Sequence, residues 1–193
     1  AHILKKYGMT VGMTTTSGIY INEKCIMKGD TTGPASAMTL LMDKTIDVAV
    51  LETARGGIIR SGLGYDLADI GVLTNISDDH LGMDGVETME DLLHVKSLVI
   101  EAVKSNGYAV LNADDRLVIQ AAGRTKANII YFSIQEDNII IHKHIAEGGI
   151  AVFLKDNYIT LATGNGLLKS LSVLQIPVTY GGKLVHNIEN CLA

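Results

Sequence analysis

Carboxylates, amides and one imidazole recur in this chain just after apolar runs, where buried strands would end. Glu52 follows Ile46–Leu51 and precedes Thr53-Ala54-Arg55-Gly56-Gly57. Asn75, Asp78, Asp79 and His80 follow Ile70–Thr74, and Asn112, Asp114 and Asp115 follow Tyr108–Leu111. In an open parallel sheet, ligands bind in the crevice beyond the carboxyl ends of the strands. Three such strands would bring these groups to one edge. Hard oxygen donors with a single imidazole suit Mg²⁺ or Mn²⁺ and poorly suit structural zinc. Mg²⁺ held by few protein ligands usually serves phosphates.

Each residue alone has a plainer reading. Glu52 is then a solvated loop carboxylate; Asp78, Asp79 and His80 cap a helix; Asn112 and Asp114 form a turn and an N-cap. Arg55 and Arg60 flank a Gly-Gly turn, and each is either a rim charge or a partner for an anion. Lys96 is either a solvated helix residue or, given apolar Leu92, Leu93, Val99 and Ile100 around it, one that points inward. His94, His142 and His144 are read as structural. Convergence at one sheet edge is what favours the chemical reading.

The elements that must position these groups follow from hydrophobic periodicity. Thr10–Thr14 reads as a strand, and Ile19–Ile21 and Cys25–Met27 read as a hairpin around Asn22-Glu23-Lys24. Pro34 opens a helix over Ala35–Met42. Ile46–Leu51, Ile70–Asn75 and Tyr108–Asn112 are nearly continuous apolar runs, the mark of parallel strands buried on both faces. Between the last two, Thr88 and Asp91 start a helix that runs through Val103, with Gly107 as its stop. A strand, helix and strand joined this way pair in parallel. From Ile129 the texture becomes β-rich. Ile129–Phe132, Asn138–His142, Ile150–Leu154 and Tyr158–Ala162 read as short strands, the last three as an antiparallel meander. A run at Leu171–Val178 then leads through Gly181-Gly182 into a helix over Leu184–Ala193.

The fold class is α/β: a mostly parallel sheet flanked by helices, with an antiparallel β extension. One domain is expected, with a parallel part over residues 1–127, a β-rich part over 128–182 and a terminal helix from 183. Of the 193 residues, 47% are hydrophobic and 19% charged, which excludes a disordered chain. A net charge of −5 with no basic stretch argues against nucleic acid or an anionic membrane surface as partner. No apolar run approaches the ~20 residues of a membrane helix. Cys25 and Cys191 form no CxxC, which suits a reducing cytoplasm. The opening Ala-His-Ile-Leu-Lys-Lys-Tyr-Gly reads as the back half of a helix, and so as part of a longer protein. A phosphate loop of the form G-x-x-x-x-G-K-[ST] is absent: Gly182-Lys183 is followed by Leu184, and Pro177 stands where the first Gly would be.

The stretches GMTTTSGIYIN, GDTTGPASA, LETARGGIIRSGLG, TNISDDHLG, YAVLNADD and IPVTYGGKLVHNIEN together resemble the central, ATP-binding domain of the Mur ligase family. ETARGGI and GDTTGP resemble its cyanophycin synthetase branch. The resemblance implies a P-loop-type sheet whose first strand and phosphate loop are missing here. It also implies an ATP-dependent ligase that forms an acyl phosphate and then an amide, with ATP and Mg²⁺ as cofactors. In that branch, arginine is joined to the aspartate β-carboxylate of an Asp-rich peptide acceptor.

Carried over residue by residue, Glu52 resembles the carboxylate at the ATP-site Mg²⁺, and His80 the imidazole ligand of a second Mg²⁺. Lys96 stands where the family places a lysine that can carry a carbamate. Asn187 and Asn190 resemble adenine-recognising amides. Thr31 and Thr32 lie in the loop that approaches the γ-phosphate. Asn112 and Asp114 join the nucleotide site, and Arg55 is assigned to catalysis. Without a phosphate loop, the 193 residues alone are expected to be inactive. An edge left by a missing strand would favour association between copies. Two alternatives stay open: another Mur-type ligase acting on a muramyl peptide or a folate, or a non-catalytic nucleotide-binding module.

Overall fold

The computed structural model describes residues 1–78, 81–164 and 166–193, and these fall into two compact units, Ala1–Asp66 and Leu67–Ala193. The first opens with α1 (His2–Lys6), which has Lys5 and Lys6 in its last turn and is followed by a left-handed Gly8. Strands β1 (Val11–Thr15), β2 (Gly18–Ile21) and β3 (Lys24–Lys28) follow. The β2–β3 turn is Asn22-Glu23, both at positive φ. That is the twist a two-residue hairpin loop demands, and Asn tolerates it well. Helix α2 (Pro34–Leu41) has Pro34 in its first turn, where its missing N–H costs nothing. Then come β4 (Val48–Leu51) and α3 (Arg55–Ser61). The sheet order is β3-β2-β1-β4, with β4 parallel to β1 and the rest antiparallel. Val11, Ile19, Ala37, Leu40 and Ile58 form the buried apolar side of these elements.

The second unit contains β5 (Ala68–Leu73), α4 (Met89–Glu101), β6 (Val103–Asn112), α5 (Arg116–Ala121) and β7 (Asn128–Ser133). It continues with α6 (Ile139–Ala146), β8 (Ile150–Lys155), β9 (Tyr158–Thr163), β10 (Gly166–Ser172) and α7 (Val185–Leu192). The sheet order is β10-β9-β8-β7-β6-β5. Strands β5 to β8 run parallel; β8, β9 and β10 form the antiparallel extension. Val110, Phe132 and Val173 pack with Ile188 and Leu192, the i and i+4 positions of α7, in one apolar cluster. No helix among the described residues is long and apolar enough to cross a membrane.

Several local expectations are corrected. Asn138–His142 is not a strand: Asn138 caps α6, its side-chain oxygen accepting the N–H groups of Ile140 and Ile141. Parallel pairing of β7 with β8 requires a crossover, and that requirement overrides the β-leaning Ile139-Ile140-Ile141 run. His142 and His144 therefore lie on a helix. The ring of His144 stands edge-on to Tyr131, with Nε2 3.1 Å from the Ile129 carbonyl oxygen. Helix α4 begins as expected, with the reciprocal Thr88–Asp91 capping box. It ends at Glu101, and Gly107 lies inside β6, where a Cβ would sit 2.4 Å from the Asp69 carbonyl oxygen. The run at Leu171–Val178 belongs to the end of β10 and to two short 3-10 turns. Strand β5 is not buried on both faces, since Ile70 and Val72 are 60% and 41% exposed. The texture change near residue 128 is no structural break, because β7 pairs in parallel with β6 across it.

Candidate active site

The single sheet edge expected from the sequence is not formed: β4, which Glu52 follows, belongs to the four-stranded sheet, whereas β5 and β6 belong to the six-stranded one. In the first unit, the candidate residues lie near the ends of β1 and β4. The parallel register sets Thr14 beside Leu51. The next residue, Glu52, extends the ladder, its N–H donating to the Thr14 carbonyl at 3.2 Å. The Glu52 side chain is exposed, and its Oε2 accepts the Thr16 N–H at 3.3 Å.

Thr31 and Thr32 are buried, 3% and 5% exposed. The Thr31 hydroxyl donates to the Thr15 carbonyl at 2.7 Å and accepts the Thr15 N–H at 3.2 Å. The Thr32 hydroxyl donates to Asp30 Oδ1 at 2.7 Å, and the same oxygen accepts the Thr32 N–H. These two bonds hold the Asp30 carboxyl below the usual carboxylate range. Both threonine hydroxyl protons are thus engaged by protein acceptors. These bonds tie the loop to the end of β1 and to Asp30. The Thr32 carbonyl then accepts the N–H of Ala54, the residue before α3. Arg55 is the first residue of that helix and is partly buried. Nearby in sequence, burial pushes the Tyr65 phenol up, partly offset by a hydrogen bond with Thr53.

In the second unit, the corner after β6 clamps its neighbours. Asn112 is 4% exposed, and its Oδ1 accepts the Asp114 N–H at 2.8 Å. Asp114 reaches toward the end of β7: Oδ1 accepts the Ser133 hydroxyl at 2.6 Å and Asn138 Nδ2 at 2.9 Å, and Oδ2 accepts the Ile134 N–H at 2.8 Å. Asp115 reaches the other way, accepting the Ile76 N–H at 2.8 Å on Oδ2. Its Oδ1 accepts the N–H groups of Leu117 and Val118, so Asp115, not Asp114, is the N-cap of α5. Lys96 is half-buried on α4, and its ammonium donates to the Asn75 carbonyl at 3.3 Å. Among the described residues, the next helix after Asp78 begins at Met89, with Thr88 rather than Asp78 as its cap. Asp79 and His80 lie outside the described residues.

On α7, Asn187 is half-buried and its Nδ2 donates to the Val178 carbonyl at 2.6 Å, while Asn190 is exposed. Burial raises the pKa of the Cys191 thiol, which disfavours the thiolate. A shallow depression between β9 and β10, lined by Leu161, Thr163, Gly166, Leu167 and Leu168, includes none of the candidate residues.

Sequence reasoning did not assign the Asp114–Ser133–Asn138 network or the Asp115 tether. The Asp-Asp doublet was the available signal, but its direction of reach depends on which strands flank β6. Among the described residues, no group of three His, Cys, Asp or Glu side chains could hold a metal ion. Mg²⁺ commonly takes only one or two protein carboxylates and completes its shell with water and phosphate oxygens. An exposed, hard-oxygen Glu52 at a parallel strand end fits that pattern.

The Mur ligase middle domain family matches residues 1–193. Over all 193 residues the chain is 48% identical to cyanophycin synthetase from Synechocystis sp., of which it covers 22%. It is also 48% identical over its full length to cyanophycin synthetase from Trichormus variabilis, covering 21% of that protein. The chain thus spans about a fifth of the length of these curated relatives. Among solved structures, a UDP-N-acetylmuramoyl-L-alanyl-D-glutamate–2,6-diaminopimelate ligase shares the fold, with a TM-score of 0.62 at 18% identity over 98% of this chain and 40% of that one. Matched from its first residue to its last, the chain belongs to the Mur ligase family and corresponds to its middle domain.

Proposed function

We propose that the protein carrying this chain is an ATP-dependent carbon–nitrogen ligase of the cyanophycin synthetase type. It activates an aspartate β-carboxylate on an Asp-rich peptide and joins it to arginine. The observation that carries this reading is the Glu52 strand end, where the backbone N–H donates to the Thr14 carbonyl and the exposed carboxylate accepts the Thr16 N–H, in a chain similar to cyanophycin synthetases along its whole length.

In this reading, a carboxylate oxygen of the acceptor attacks the γ-phosphorus of ATP. The bond from that phosphorus to the bridging oxygen breaks, and ADP leaves. The amine nitrogen then attacks the acyl carbon, the bond to the phosphate oxygen breaks, and the nitrogen gives up a proton. The chain's own residues align and neutralise charge, which is most of what phosphoryl transfer asks of a protein. Glu52 would hold the ATP-site Mg²⁺ and His80 a second one, and bound Mg²⁺ would offset negative charge on the phosphate oxygens. Asn187, oriented by its bond to Val178, and Asn190 recognise adenine. Asn112 and Asp114 shape the nucleotide side through the corner they brace. Thr31 and Thr32 fix the loop beside β1, and Arg55 meets the acceptor's anionic groups. Lys96 carries a carbamate that adds negative charge at the metal site.

The test is ADP formation by the full-length protein with Mg²⁺, ATP, arginine and an Asp-rich primer. Turnover should require both arginine and primer, and Glu52→Ala and His80→Ala should each reduce it at least ~100-fold. Full activity in both variants, or turnover only with a muramyl or folate acceptor, would overturn the assignment.

A further inference from the structure

Helix α3 begins with little help from its own sequence. It opens Arg55-Gly56-Gly57, glycine is a poor helix former, and Ala54 before it supplies no side-chain cap. Its start is secured from outside, by the loop that leads into α2. The Ala54 N–H donates to the Thr32 carbonyl at 3.2 Å. A Cβ added at Gly57 would stand 3.2 Å from Gly33 Cα and 3.3 Å from the Thr32 carbonyl oxygen. Both distances are tighter than ordinary van der Waals contact. Gly57 has ordinary helical backbone, so its lack of a side chain answers to space and not to φ.

The surface that α3 rests on is itself fixed. Thr31 and Thr32 are buried and bonded to Thr15 and Asp30. Strand β1 is therefore a common reference for two candidate residues. Glu52 is registered on it directly, through the Thr14 carbonyl. Arg55 is registered on it through Thr31, Thr32 and Ala54.

We propose that Gly57 is a positioning residue for the acceptor: its missing side chain lets the start of α3 close on Thr32-Gly33, and that contact sets the Arg55 backbone against the same strand that carries Glu52. This rests on the ligase reading above, in which Arg55 meets the acceptor's anionic groups. Orientation of such a group matters steeply, since a misplacement of about 1 Å can cost ~100-fold.

Gly57→Ala separates position from stability. Ala is the better helix former, so the change strengthens α3 while its Cβ presses the helix off the loop. Three readouts are taken on the full-length protein: hydrogen exchange in a peptide covering residues 52–56, the KM values for Asp-rich primer and for ATP, and the primer KM of Arg55→Ala with and without Gly57→Ala.

In Gly57→Ala, exchange over 52–56 should quicken as the Ala54–Thr32 bond loosens. The primer KM should rise roughly tenfold, with the ATP KM and kcat unchanged. Adding Gly57→Ala to Arg55→Ala should raise the primer KM no further, because the first residue acts through the second. Unchanged exchange would overturn the contact. An unchanged primer KM, an equal rise in both KM values, or additive effects with Arg55→Ala would each overturn the positioning role. If the wild-type protein turns over no ATP with arginine and primer, the ligase reading fails instead, while the exchange measurement still decides the contact.

Discussion

Lys96 on α4 donates from its ammonium to the carbonyl oxygen of Asn75, 3.3 Å away on the segment leaving β5. Lys96 is thus tied to the same segment whose Ile76 N–H Asp115 accepts. Conversion to a carbamate would keep one N–H for that carbonyl while replacing the positive charge by a negative one. We expect the full-length protein, equilibrated with isotopically labelled bicarbonate, to show a carbamate carbon resonance. Lys96→Arg should lack that signal and lose at least ~100-fold in turnover. Full turnover in Lys96→Arg would contradict the assignment.

Asp114 should matter mainly to stability. Its carboxylate receives the Ser133 hydroxyl, the Ile134 N–H and the Asn138 amide, which join the ends of β6 and β7 to the start of α6. Removing a charged acceptor leaves those donors short of a partner. Asp114→Ala should cost about 2–4 kcal/mol. A domain of this size then melts about 2–4 °C lower per kcal/mol, a shift thermal unfolding will detect.

The capping box at the start of α4 makes a pH prediction. The Thr88 hydroxyl and the Thr88 and Glu87 N–H groups all donate to Asp91, and they hold its carboxyl below the usual carboxylate range. A carboxyl whose pKa is lower when folded stabilises the fold at pH values above its unfolded pKa. That stabilisation is lost as pH falls through the folded pKa. NMR titration should find Asp91 ionised below the pH at which a free aspartate is half protonated. Thr88→Ala should move it back up and weaken the helix by about 1 kcal/mol. An unmoved titration in the variant would count against the box.

Gly64 follows α3 with φ of +81°, and a Cβ there would sit 2.6 Å from the Pro34 carbonyl oxygen. An L side chain faces both the strained backbone and a clash with the start of α2. Gly64→Ala should destabilise the first unit by about 1–3 kcal/mol, measured by denaturant unfolding. A neutral effect would mean the loop shifts freely.

Much of this architecture was legible because local chemistry and global topology agree. Pro34, the Asn22-Glu23 turn and the Thr88–Asp91 box each act within a few residues, and each works as read. The misreadings came from non-local decisions. Ile139-Ile140-Ile141 leans toward strand, and the parallel placement of β8 beside β7 overrode that leaning. Ile70 and Val72 read as buried, but burial depends on what covers each face of β5, which no run of residues encodes. At the candidate site, Glu52 was legible because a parallel strand ends just before it. The Asp114–Asp115 doublet was visible as carboxylates, but its division of labour between β7 and β5 exists only once β6 lies between them. The roles of Thr31 and Thr32 depend on hydroxyl partners at Thr15 and Asp30, one of them sixteen residues away.

The central claim is that the acceptor carboxylate is phosphorylated before the amine arrives. It is tested most directly by following the carboxylate's oxygen. An Asp-rich primer carrying heavy oxygen in its side-chain carboxylates is supplied to the full-length protein with Mg²⁺, ATP and arginine, and the released inorganic phosphate is examined by mass spectrometry. The account predicts one heavy oxygen in phosphate for each amide formed, and loss of both products in Glu52→Ala. Amide formation with unlabelled phosphate would contradict it.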